Sequence, residues 1–130
     1  MILKNATLHI GNGEVFQGDM RIADGKIVEV GKNINGDESR SLNGKHVFPG
    51  FIDSGNFLGA QDMAFFAKDY NENSNPVTPY LDIWHSIDPD ELSLQELYKA
   101  GITSMLVTPG NEGILGGTCT VVKTKGKNIN

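Results

Sequence analysis

One well-marked helix between two short apolar segments constrains the fold of this chain more than any other feature. Asp88-Pro89-Asp90-Glu91 predicts the helix start, with an N-cap residue, a proline at the first helical position and a glutamate at the third. Gly101 predicts the helix end, as the C′ residue. The apolar segments on either side, Phe51-Ile52 and residues 104–107, are predicted to be parallel strands because a helical connection joins them. Phe51-Ile52 is bounded by proline and glycine, as buried parallel strands often are. The apolar residues that recur at helical spacing are Leu94, Leu97 and Tyr98.

The first 48 residues have the pattern of short strands joined by tight turns. Asp24-Gly25 predicts a type I′ hairpin, because both central residues of that turn need positive φ. Asn43-Gly44 predicts a second turn. Residues 2–10 are predicted to form a strand whose alternating apolar face is Ala6, Leu8 and Ile10. The apolar face of the hairpin would be Ile22, Val28 and Val30.

Composition excludes several classes of partner. The net charge is -5 and the isoelectric point is near 5.0, which argues against binding to nucleic acid or to an anionic membrane. No apolar run approaches the ~20 residues that a membrane-spanning helix needs. The single cysteine, Cys119, and a start without a signal-peptide pattern lead us to expect a cytoplasmic protein.

The segment after the second turn has a distinctive order of residues. Pro49-Gly50-Phe51-Ile52-Asp53-Ser54-Gly55-Asn56-Phe57 resembles the first barrel strand of the amidohydrolase superfamily of metal-dependent hydrolases. That strand normally reads Pro-Gly-Phe-Ile-Asp-x-His-x-His. The frame is intact, but Gly55 and Phe57 stand at the positions of the two metal-binding histidines.

Further blocks resemble the imidazolonepropionase-like branch of that superfamily, in the same order along the chain. Each block alone is a weak pattern, but their order over nearly the whole chain is specific. They are Leu3-Lys4-Asn5-Ala6-Thr7, Asp24-Gly25-Lys26-Ile27, Asn71-Glu72 with Pro76-Val77-Thr78-Pro79, Ala100-Gly101-Ile102-Thr103, and Pro109-Gly110-Asn111 followed by Gly116-Gly117 and Lys123-Thr124.

The resemblance implies an α/β fold in two parts. Residues 1–48 would form a β-rich, sandwich-like layer. Residues 49–130 would form a partial (β/α)₈ (TIM) barrel segment, in the order strand, loop, helix, strand, glycine-rich loop, strand. A complete barrel takes roughly 250 residues, so this chain would hold only its first βαβ unit.

The resemblance also implies a chemistry that this chain lacks the residues to perform. Family members bind one or two divalent metals such as zinc, which activate a water molecule for attack on a C–N or similar bond. The two histidines lie two residues apart because alternate residues of a strand share one face. Gly55 has no side chain to offer, and we expect the Phe57 ring to point into the space of the metal. Asp53 remains as a possible residual site, but one carboxylate is a weak divalent site. We therefore assign no catalytic residue, no metal and no cofactor to this chain.

Three functional hypotheses follow. The first is a truncated amidohydrolase-like protein without catalytic activity alone. The second is the N-terminal part of a metal-dependent hydrolase acting on non-peptide C–N bonds, completed by another chain. The third is a small protein-interaction module. In this family the sandwich is completed by strands from the far C-terminus, so an exposed edge predicts self-association or a second polypeptide. No substrate is predicted.

Five other features have a structural interpretation beside any functional one. The glycine-rich loop at residues 110–117 could bind an anion, but a mobile barrel-mouth loop is the favoured interpretation. Asn71-Glu72 is interpreted as a loop-structuring pair, and Cys119 as a buried small residue. Residues 63–67 fit a short helix or an apolar loop. The three histidines are widely spaced in the sequence, and each is predicted to be a surface or turn residue: His9, His46 and His85.

Overall fold

The computed structural model describes residues 1–61 and 68–126. The segment at residues 63–67 therefore lies outside the described residues. The chain divides into two compact units, Met1–Pro49 and Gly50–Asn130.

The first unit is built on one sheet of five strands. The sheet order is β3-β2-β1-β4, and β5 also pairs with β1. The β1–β2 and β2–β3 pairs are antiparallel, whereas β4 and β5 run parallel to β1. The strands are β1 (Ile2–His9), β2 (Val15–Ala23), β3 (Lys26–Gly31), β4 (Ser39–Ser41) and β5 (His46–Val47).

Both predicted turns of the first unit are confirmed. Asp24 and Gly25 join β2 to β3 with φ values of 52° and 71°, as a type I′ turn requires. Asn43 and Gly44 have φ values of 51° and 77°. The β-rich character of this unit therefore follows directly from its turn residues.

The apolar faces of the first unit differ in part from the prediction. Ala6 and Leu8 are buried together with Met20, as expected for the inner face of β1. Ile10 is exposed instead, because β1 ends at His9 and the Ile10 N–H bonds the Glu14 carbonyl in the turn that follows. Two residues predicted for the apolar face of the hairpin are also exposed, since β3 is the edge of the sheet: Val28 and Val30.

The second unit contains the predicted strand–helix–strand arrangement. The first and second strands, β6 and β7, pair in parallel on either side of the helix in sequence, which confirms the βαβ prediction. The third strand, β8, pairs antiparallel with β7. A (β/α)₈ barrel contains only parallel strands, so the barrel segment remains a prediction. The elements are β6 (Phe51–Asn56), a 3₁₀ helix (Ile83–Ser86), α1 (Leu92–Lys99), β7 (Ile102–Val107) and β8 (Thr120–Lys123).

The prediction is correct for the end of α1 and wrong for its start. Gly101 follows the helix with φ of 92° and donates its N–H to the Tyr98 carbonyl, as a C′ glycine does. The predicted start at Asp88 is wrong by one turn. The N-cap is Glu91, whose carboxylate accepts from the Ser93 N–H, while Asp88 accepts from the Asp90 N–H within the preceding turn.

Only one face of the β6–β7–β8 sheet is buried among the described residues. The core contains Met105, Val107 and Val122 from the sheet and Leu94 from α1. Residues opposite each other on paired strands share a face, so Ile52, Leu106 and Val121 lie on the other side. Phe51 and Ile52 are both exposed, Ile52 to 75%, which contradicts their prediction as a buried strand.

None of the helices in the described part of the chain has the length and apolar character needed to cross a membrane.

Candidate functional site

The carboxylate of Asp53 is held by its own strand. One oxygen accepts the Gly55 N–H at 3.0 Å and the other accepts the Asn56 side-chain amide at 2.9 Å. The strand is irregular here. Asp53 pairs with Met105 and Asn56 pairs with Val107, so a step of three residues along β6 matches a step of two residues along β7. This bulge breaks the strict alternation of side chains, so the side chain of Asn56 reaches the same carboxylate as the Gly55 N–H.

These two hydrogen bonds favour the ionised form of Asp53. The Gly55 N–H, followed by the Asn56 amide, lowers the pKa of the carboxyl below its ordinary value. The group is therefore an anion at neutral pH, but each of its oxygens already accepts a hydrogen bond. Asp53 thus acts as a structural clasp for the end of β6.

Gly55 is not required by packing. A Cβ built at this residue would have Thr108 Cγ2 as its nearest neighbour, at 3.7 Å, which is an ordinary contact. Its φ also lies outside the left-handed region that favours glycine. A side chain at residue 55 would therefore start in open space.

Phe57 lies just beyond the end of β6, and its ring stacks on Tyr70. The ring centroids are 4.4 Å apart and the planes are inclined by 15°. Tyr70 in turn packs against the core of the second unit. The ring that was expected to point into the space of a metal is part of an aromatic stack.

The donors at this site do not fit the metal centre of a hydrolase. Zinc in such sites has three protein ligands and an open position for water. Gly55 and Phe57 supply no donor atom, and the oxygens of Asp53 are engaged. Across residues 1–61 and 68–126, no group of three or more His, Cys, Asp or Glu side chains is placed to hold an ion.

The loop at Asn71-Glu72 and the glycine-rich loop come together around a small cavity of about 90 Å³. The Gly110 N–H bonds the Tyr70 carbonyl at 2.8 Å, which joins the two loops. Ser74 hydrogen-bonds the Glu72 carboxylate through its hydroxyl and its N–H and lowers the pKa of that group. Ligand pockets occupy roughly 300–1,000 Å³, so this cavity has room for a few water molecules rather than for a substrate.

Two histidines form a contact that sequence reasoning missed. His9 Nε2 and His46 Nδ1 lie 2.8 Å apart and share a hydrogen bond. The His9 ring also stacks on Phe48, with centroids 3.9 Å apart. These residues are far apart in sequence, and only the parallel pairing of β1 with β5 brings them together. The prediction of a surface or turn histidine is confirmed for His46 and His85, which are exposed, whereas His9 is half-buried.

Cys119 is exposed, which corrects its prediction as a buried residue. It lies immediately before β8, where the alternation of that strand places it with the exposed Val121 rather than with the buried Val122.

Comparison with known proteins supports a fold rather than a family. No protein-family model matches the chain, and no curated protein matches it. The crystal structure of an amidohydrolase from Thermotoga maritima MSB8 is similar to this chain, with 30% sequence identity and a TM-score of 0.84. The similarity covers 98% of this chain but 34% of that one, so the chain spans about a third of the length of the protein it matches. The chain therefore has the fold of the N-terminal part of an amidohydrolase chain.

Proposed function

We propose that this polypeptide is an amidohydrolase-like α/β module without hydrolase activity of its own. One observation carries the proposal: the two first-strand positions that resemble metal-ligand positions are Gly55, which has no side chain, and Phe57, whose ring stacks on Tyr70. The similarity in fold to an amidohydrolase supports the comparison of these two positions with the metal-ligand positions of that family's first strand. We therefore assign no cofactor to the first strand.

The remaining acid does not substitute for the histidines. Metal-assisted hydrolysis needs an ion that lowers the pKa of a bound water and keeps an open coordination position. Asp53 already accepts from Gly55 and Asn56, so binding an ion would require giving up at least one of those bonds. Coordination of an ion by this one carboxylate would compensate for little of the lost hydrogen-bond energy.

The test is hydrolytic turnover. The tag-free chain is incubated with a panel of non-peptide amide and cyclic amide substrates in the presence of Zn²⁺, Mn²⁺ or Fe²⁺. We expect no turnover above the metal-only blank, and none from the Gly55→His/Phe57→His double variant either, because the later ligands of the family site are not supplied. Metal-dependent turnover that disappears in Asp53→Asn would refute the proposal.

A second candidate is the N-terminal part of a metal-dependent hydrolase acting on non-peptide C–N bonds, completed by another chain. The exposed apolar face of the β6–β7–β8 sheet favours it, since parallel strands are normally covered on both faces. On that face Ile52 is 75% exposed and Val121 is 65% exposed. This candidate predicts metal-dependent activity when the chain is co-expressed with a chain that supplies the remaining barrel strands, and no gain in activity would remove it.

A further inference from the structure

We propose that His9 and His46 form a two-imidazole site for a divalent copper- or nickel-type ion on the surface of the N-terminal sheet. The proposal is independent of the amidohydrolase resemblance, since neither residue belongs to the motifs that carry it. It rests on the register of two strands, on one distance and on one aromatic contact.

The register of β1 and β5 places both rings on one face. Thr7 is the partner of His46, and Leu8 is the partner of Val47. His9 follows Thr7 by two residues, so it returns to the face of Thr7 and His46. Leu8 and Val47 point to the opposite face, where they belong to the apolar cluster of this unit.

The distance between the facing nitrogens suits a particular coordination geometry. His9 Nε2 and His46 Nδ1 are 2.8 Å apart. Neighbouring ligands bonded at about 2.0 Å are about 2.8 Å apart when they are at right angles, as on a square-planar or tetragonal ion, and about 3.3 Å apart on a tetrahedral ion. Square-planar and tetragonal nitrogen sites are typical of Cu²⁺ and Ni²⁺. The pair therefore needs a turn of the rings, but little change in separation, to hold such an ion.

The hydrogen bond between the two rings is also compatible with metal binding. In a hydrogen bond between two neutral imidazoles, one facing nitrogen carries the proton and the other accepts it with its lone pair. Moving the facing proton to the other nitrogen of the same ring exposes both lone pairs without a change in charge. Metal binding would therefore replace one hydrogen bond by two coordinate bonds.

Phe48 restricts the His9 ring before any ion arrives. It follows His46 by two residues, and its ring stacks on His9 with the planes inclined by 18°. A ring that is already restrained loses less rotamer freedom on binding. Within the described ranges no third His, Cys, Asp or Glu joins this pair in a metal-binding group, so water would complete the coordination.

Calorimetric titration of the tag-free 130-residue chain with Cu²⁺ tests the proposal. We expect one equivalent to bind, and at least a tenfold loss of affinity in His9→Gln and in His46→Gln. His85→Gln is the matched control, because it removes an exposed histidine from the 3₁₀ helix of the other unit and should leave the affinity unchanged. Equal affinity in all four proteins would overturn the proposal, as would a loss caused by His85→Gln alone.

Paramagnetic resonance of the Cu²⁺-loaded wild-type chain keeps the test independent of whether the variants fold. We expect nitrogen couplings from two imidazoles in a tetragonal spectrum. A spectrum with couplings from one imidazole or from none would overturn the proposal. This includes a spectrum in which the N-terminal amine supplies the nitrogen ligand.

Discussion

Two glycines of the same short segment have opposite environments. A Cβ at Gly50 would meet the side chain of Thr103, including its Cβ at 2.7 Å, whereas a Cβ at Gly55 would meet nothing closer than 3.7 Å. Rotation cannot move the Cβ of a threonine, so the first clash requires the backbone to shift. Gly50 is therefore retained by packing, while the absence of a donor at residue 55 is not imposed by lack of space.

This contrast predicts the outcome of a matched pair of substitutions. Gly50→Ala should lower the free energy of unfolding by about 1–3 kcal/mol, the usual cost of overpacking. Gly55→Ala should change it by no more than about 0.5 kcal/mol. Urea unfolding followed by circular dichroism measures both, and equal losses in the two variants would show that the described packing is wrong.

The clasp at Asp53 predicts a dependence of stability on pH. Its pKa is lowered in the folded chain, so the contribution to stability is present above the ordinary value of 3.8 and is lost as the pH falls through the lowered pKa. The advantage of the wild-type chain over Asp53→Asn should therefore shrink between neutral pH and about pH 2.5. Urea midpoints measured across that range would contradict the clasp if the difference stayed constant.

At the scale of single residues, the sequence predicts identities better than contacts. Neither Gly55 nor Phe57 has a side-chain atom that can bind a metal, and the residue types alone establish this. The contact of Asp53 with Asn56 depends on a bulge, which no periodicity of the sequence indicates. The stacking of Phe57 on Tyr70 joins two loops and could not be predicted from local pattern.

At the scale of elements, β1 is held to its neighbours by the carboxylate of Asp19. Asp19 is buried on β2, and its two oxygens accept the N–H groups of Asn5, at 2.9 Å, and Ile34, at 3.0 Å. Asn5 has φ of 54° and lies where the β1–β2 register shifts. The acid thus secures an irregular strand and a loop at the same time.

Removing this acceptor should destabilise the first unit. Asp19→Ala leaves two backbone donors without a partner, at a cost of about 1–3 kcal/mol for each one that remains buried, so we expect a loss of about 2–3 kcal/mol. Asp19→Asn keeps one acceptor oxygen and should lose about half as much. Thermal and urea unfolding measure both, and a loss in Asp19→Ala no larger than in Asp19→Asn would contradict this role.

Elements with local signals were predictable, and those set by distant pairing were not. The hairpin at Asp24-Gly25 and the helix end at Gly101 follow from backbone conformations that few residues adopt. The start of α1 was misplaced because Asp88 caps a turn just as readily as a helix. The contact between His9 and His46 depends on the β1–β5 pairing, which closes a long stretch of chain.

At the scale of the whole molecule, the exposed apolar strand face predicts association, either with a second copy or with a different chain. The free chain should self-associate at high micromolar concentration, as measured by light scattering. Val121→Lys should reduce the association, because Val121 is 65% exposed beside Leu106. Glu112→Lys, an exposed change of charge outside the strands, is the control. A wild-type chain that stays monomeric at that concentration would contradict the prediction of self-association.

The content of tightly held metal tests the central claim most directly. The chain is expressed in zinc-supplemented medium with His9→Gln and His46→Gln in place, so that the proposed surface pair does not contribute, and zinc is measured by mass spectrometry after gel filtration. The absence of donors at Gly55 and Phe57 predicts far less than one zinc per chain. One zinc per chain, lost when Asp53 is changed to Asn, would contradict the account.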